Sequence, residues 1–88
     1  MMKLLNVVAT LDQFDPEATI YAVEPWTSAS QAILVSPGPD SSEPIERNGT
    51  IYSYFLEVFI AREFLEGFGV NDFKIACDRL IQYAVNDA

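Results

Sequence analysis

The chain has 88 residues, half of them hydrophobic, which is material for one domain with a core and argues against wholesale disorder. Five Lys and Arg against thirteen Asp and Glu, with no His, leave a formal charge of -8, and so lack the basic footprint that nucleic-acid binding needs. The lone Cys77 excludes an intramolecular disulfide framework and a cysteine-based zinc cluster.

Residues 3–13 read as a helix, because Leu4, Val7, Val8, Leu11 and Phe14 recur at spacings of three and four. Asp15-Pro16 ends it, since the residue before proline is pushed out of the α region. Residues 19–23 and 31–35 are short runs rich in β-branched side chains and read as strands. Turn residues between them, Glu24-Pro25-Trp26-Thr27-Ser28-Ala29-Ser30, make the pair a hairpin.

The stretch Ser36-Pro37-Gly38-Pro39-Asp40-Ser41-Ser42-Glu43-Pro44 holds neither helix nor central strand. A flexible internal loop is therefore expected over about 36–48, inside a single domain covering 1–88. Asn48-Gly49 reads as a turn before a helix over 50–66. That helix is apolar nearly all round, with Ile51, Tyr54, Val58, Ala61 and Leu65 on one side and Tyr52, Phe55, Leu56, Phe59 and Ile60 on the rest. Asn71 or Asp72 caps a last helix that runs to about residue 85, with Phe73, Ala76, Cys77, Leu80, Ile81 and Ala84 on one stripe. The expected fold is α+β in the order α-β-β-α-α, a β-hairpin packed on helices.

The candidate chemistry is sparse. Cys77 lies mid-stripe with no histidine to serve as its base, so it reads as a buried structural thiol. The acids Asp12, Asp15 and Glu17, like Asp40, Glu43 and Glu46, cluster at turns, where solvated carboxylates are expected. Glu57 differs: apolar neighbours crowd it, which suits a buried functional acid, an acid paired with an arginine, or one that reaches solvent at a helix edge. No calcium loop and no phosphate-binding G-K-[ST] pattern occurs. No catalytic residue, metal or cofactor is assigned. Trp26 is either a core-edge side chain or a binding anchor.

The strings Thr19-Ile20-Tyr21-Ala22, Pro25-Trp26-Thr27, Tyr54-Phe55-Leu56-Glu57-Val58, Ala61-Arg62-Glu63-Phe64-Leu65 and Arg79-Leu80-Ile81-Gln82-Tyr83-Ala84 resemble a group of small uncharacterised bacterial proteins. The resemblance implies a bacterial cytosolic protein and brings no activity with it.

No apolar run is long enough to span a bilayer, and Asn6, Asp12 and Asp15 break the signal-peptide pattern, so a cytoplasmic protein is expected. Size and charge together suggest a non-enzymatic acidic binding protein. It would act by protein-protein contact on a basic protein partner, as immunity proteins and antitoxins do. The alternative is a homo-oligomeric accessory protein. One hairpin and two further helices leave Tyr52, Leu56 or Phe59 short of partners, which predicts a homodimer with the 50–66 helix at its interface. Trp26, Tyr52, Leu56 and Phe59 are thus the candidate interface. In a competing arrangement the 3–13 helix covers the third side of a monomer.

Overall fold

The computed structural model describes residues 2–36, 38, 43–67 and 72–87. The chain is α+β: one antiparallel five-stranded sheet with its helices packed on one face. In chain order the elements are β1 (Met2–Lys3), α1 (Leu4–Ala9), a 3-10 turn (Leu11–Gln13), β2 (Thr19–Ala22) and β3 (Gln31–Val35). Then follow β4 (Ile45–Arg47), β5 (Thr50–Glu57), α2 (Val58–Glu66) and α3 (Phe73–Asp87). The strand order across the sheet is β1-β3-β2-β5-β4.

The expected hairpin is present, with Thr19 opposite Val35 and Ala22 opposite Ala32. Strand β2 is central, and all four of its residues are buried. On one face Ile20 and Ala22 meet Ala32, Phe55 and Leu56 beneath the helices. On the other face Thr19 and Tyr21 are also buried, and Tyr21 meets Tyr54 edge-on at 6.1 Å between ring centroids. Gly38 passes across Thr19 so closely that a Cβ there would run into the Thr19 hydroxyl, and its N–H donates to Glu17 O at 3.3 Å.

The expected single helix over 50–66 is replaced by an eight-residue strand, β5, followed by the nine-residue α2. The reason lies in the residues. An apolar run with no polar face describes a strand buried on both sides as well as a buried helix. Thr50, Ile51, Tyr52, Tyr54 and Phe55 are the β-branched and aromatic types that suit a pleated surface. The register slips between Ile20 and Tyr21, so that Tyr21 faces Tyr54 while Ile20 faces Leu56. The extra residue makes a β-bulge and turns both Phe55 and Leu56 into the core.

The switch from β5 to α2 depends on distant backbone rather than on a capping side chain. Glu57 makes no cap hydrogen bond. Instead, Val58 N–H donates to Ala18 O at 2.9 Å and Phe59 N–H to Pro16 O at 3.2 Å. Those carbonyls are presented by a turn that Asp15 holds together, accepting from Glu17 N–H at 2.9 Å and from the Ser36 hydroxyl at 3.0 Å. The orphan donors at the start of a helix are thus satisfied by tertiary structure.

A similar device starts α1. Leu4 and Leu5 N–H donate to Ser30 O and Ser28 O at 2.7 and 3.0 Å. The helix expected over 3–13 is shorter than its apolar stripe: its ordinary turns stop at Ala9, and Thr10 sits at φ -127 with its hydroxyl on Asn6 O. The stripe still works, because the 3-10 turn carries Leu11 into the core beside Leu4, Val7 and Val8.

Part of the expected 36–48 loop is strand. Ile45, Glu46 and Arg47 pair with Tyr52, Ile51 and Thr50 along the sheet edge. The two-residue connection is Asn48-Gly49, both at positive φ (53 and 79), which matches the right-handed twist of a tight hairpin. Residues 37 and 39–42 of the expected loop lie outside the described residues. At the other end Asp72 caps α3 as expected, its carboxylate accepting from Lys74 N–H at 2.9 Å. Among the described residues no helix is long and apolar enough to cross a membrane.

Candidate functional site

Trp26 belongs to a turn closed mostly by its own hydrogen bonds. Ser30 Oγ accepts from Thr27 N–H at 2.8 Å and donates to Pro25 O at 3.2 Å, while Ser30 N–H returns to Thr27 O at 3.0 Å. The indole N–H donates to Ala22 O at 3.2 Å, and the ring meets Phe55 edge-on at 5.0 Å between centroids. Trp26 is therefore a half-buried wall of the core. Its outer side borders a cleft of about 410 Å³ against α3, with Lys74, Asp78, Ile81 and Gln82 on the far side.

Tyr52 and Leu56, the two strand members of the expected interface, are 4% and 5% exposed. They were expected to lack partners because a 50–66 helix would have turned them away from the core. As strand residues they face opposite sides of the sheet and are covered within one chain. Of the expected set, Phe59 alone is exposed, at 44%. Trp26 and Phe59 are not brought together. Trp26 follows the Ala22 end of β2, whereas Phe59 follows Glu57, which pairs with Thr19 at the other end.

Phe59 opens a surface that the sequence pattern did not single out. It shares one side of α2 with Arg62, Glu63 and Glu66, at spacings of three and four, around a depression of about 180 Å³. A second depression of about 360 Å³ adjoins it across Arg62 and Glu66. Leu65 and Phe73 supply its accessible apolar lining over a floor of buried Val8 and Leu11, and Asp12 lines it as well. Phe73 is 53% exposed, although the periodicity placed it on the buried stripe of α3. As the first residue of that helix it projects beyond the layer that Ala76, Cys77 and Leu80 fill. The charged groups around the two depressions are Asp12, Glu63 and Glu66 against Arg62, so acid outnumbers base on this surface as it does in the whole chain.

The remaining candidates resolve simply. Glu57 is a half-buried strand-end residue beside Tyr54, whose phenol is held above its ordinary range chiefly by burial, then by the Glu57 charge and by Tyr21. Tyr21 is shifted the same way by burial. Among the described residues no group of three or more acidic or cysteine side chains has the arrangement of a metal site. Cys77 is fully buried, and its thiol is pushed up to about 11, chiefly by burial and further by Asp78, with Lys74 opposing.

This shift has a measurable consequence. From about pH 9 the unfolded chain releases a thiol proton that the folded chain holds up to about pH 11, so the unfolded state binds fewer protons across that window. Stability is then fully present below the lower value and falls as pH rises through the upper one, and the raised Tyr21 and Tyr54 act in the same direction. We expect the urea midpoint to drop over this range and to drop less in Cys77→Ala. Native protein should react slowly with a thiol dye at neutral pH and unfolded protein fast. A midpoint insensitive to alkali, or rapid native labelling, contradicts this placement of the thiol.

No protein-family model, curated protein or solved structure matches the chain.

Proposed function

We propose that this chain is a small acidic cytoplasmic protein that works by contact, binding a basic protein partner through the outer surface of α2. The observation that carries the reading is the pair of exposed rings, Phe59 and Phe73, bordering two adjoining depressions, the larger of them mainly apolar, whose charged residues are three acids and one arginine. Exposed aromatic side chains beside apolar hollows supply binding energy once desolvated. The surplus of acid, and the charge of -8 behind it, speeds encounter with a basic surface and disfavours approach of an acidic one. Immunity proteins and antitoxins of this size and charge act in this way, by occupying the working face of another protein.

The test is retention of a basic partner. Immobilised protein should hold a chain of isoelectric point above about 9 from native lysate at low salt. Phe59→Ser combined with Glu66→Lys should lose it. Glu46→Lys on the exposed edge strand, which alters charge alone, should keep it. Equal retention by all three proteins removes this surface from the reading.

A second reading, a homo-oligomeric accessory protein, rests on Ile75 and Val85, which are 47% and 61% exposed on α3. Light scattering at micromolar concentration separates the two. A mass near 9.8 kDa supports the first and a mass near twice that supports the second.

A further inference from the structure

Resting on that reading, we infer that the two depressions beside α2 receive one amphipathic helix of the partner, with its apolar stripe inward and Lys or Arg along its flanks. The shape argument comes first. Among the described residues, every one that lines the depressions belongs to α1, the 3-10 turn, α2 or α3, and none belongs to a strand. An extended peptide gains its affinity from main-chain hydrogen bonds to an open sheet edge, and this surface offers none. A helix instead sets its side-chain rows into the furrows between helices. Residues Phe59, Arg62, Glu63 and Glu66 present two turns of such a row.

The charge argument fixes the chemistry of the occupant. Leu65, with the exposed rings of Phe59 and Phe73 beside it, presents the accessible apolar surface, which asks for apolar anchors at helical spacing. Asp12, Glu63 and Glu66 lie around those anchors and outnumber Arg62, so the flanks of the occupant are basic. A second copy of this chain does not fit, because the outer side of α2 carries Glu63 and Glu66 and would meet them again.

Three synthetic peptides of about 18 residues, long enough to hold helix on binding, test this. One carries Leu at helical spacing with Lys elsewhere. A second has the same composition with Leu and Lys alternating, which puts the apolar face at strand spacing. A third replaces every Lys of the first with Glu. The first peptide should bind saturably, and each of the other two at least about tenfold more weakly. Phe59→Ser and Glu66→Lys, both at exposed positions and checked for folding by circular dichroism, should each weaken the first peptide by about tenfold or more. If the alternating peptide binds as well as the helical one and is lost in the same variants, the helical occupant is wrong while the acidic contact surface stands. If neither basic peptide binds, both fall. Binding that ignores both variants moves the site elsewhere and overturns the inference.

Discussion

Phe55→Ala should cost about 3–5 kcal/mol, the range for truncating a buried phenylalanine. The side chain is fully buried and sits at the bulge where β5 gains a residue on β2. One of its neighbours is Trp26, whose ring meets it edge-on at 5.0 Å between centroids. Trp26 is anchored by its own hydrogen bond to Ala22 O and by the closed turn around it, so it has little freedom to move into the void. Partial collapse is what reduces the cost of such a truncation, and here it is restricted. For a domain of this size, with a total stability of roughly 5–10 kcal/mol, the loss leaves little margin. Urea unfolding followed by Trp26 fluorescence measures it, and a cost below about 1 kcal/mol would place Phe55 outside the core.

Leu80→Ala should cost about 2–5 kcal/mol, at the upper part of that range. Leu80 is fully buried, and the side chains on its stripe of α3 that are also buried are Ala76, Cys77 and Ala84. All three are small, so Leu80 is the one large side chain of α3 that is fully buried, with Ile81 and Tyr83 packed partly buried against the same core, and none of the three small residues is long enough to fill the space it leaves. Ile75→Ala on the outer side of the same helix is the matched control. Ile75 is 47% exposed, and its truncation should stay within about 0.5 kcal/mol. Equal costs at the two positions would mean that α3 packs on a different face.

These two residues also mark what was legible in the sequence. The inner face of α3 was readable because one helix packed on one layer leaves a clean period, and Asp72 announces its start. The β2–β3 hairpin was readable from β-branched residues on either side of turn chemistry. The sequence pattern puts Phe55 in a helix, whereas it lies in a strand. Strand β5 buries apolar residues on both faces, Tyr52 on one and Phe55 and Leu56 on the other, so no polar side distinguishes a strand from a helix, and the bulge breaks what alternation remains. The signal that could have corrected this was Asn48-Gly49 between Ile45-Glu46-Arg47 and Thr50-Ile51-Tyr52, a tight-hairpin sequence with strand formers on both sides. Strand β1, two residues long, leaves no periodic trace at all.

The candidate surface was legible only in part, and for a similar reason. The sequence pattern singles out Phe59 as a residue left short of partners on a long, mostly buried helix, and it is exposed on a short one. Tyr52 and Leu56 shared that argument and are covered by the sheet they belong to. Phe73 was hidden by its own periodicity, since a stripe says which side a residue faces but not whether the neighbouring layer extends that far. The acidic rim joins Asp12 from the 3-10 turn to Glu63 and Glu66 from α2, a juxtaposition made by the turn at Asp15 that places α2 beside the first helix.

The most direct measurement of the functional account is the identity of whatever touches position 59 in living cells. With a photo-cross-linking residue replacing Phe59, and the same residue replacing Glu46 as a control, the account predicts an adduct at position 59 with one basic protein of a different sequence and none at position 46. An adduct at position 59 with another copy of this chain, or the same adducts at both positions, would contradict it.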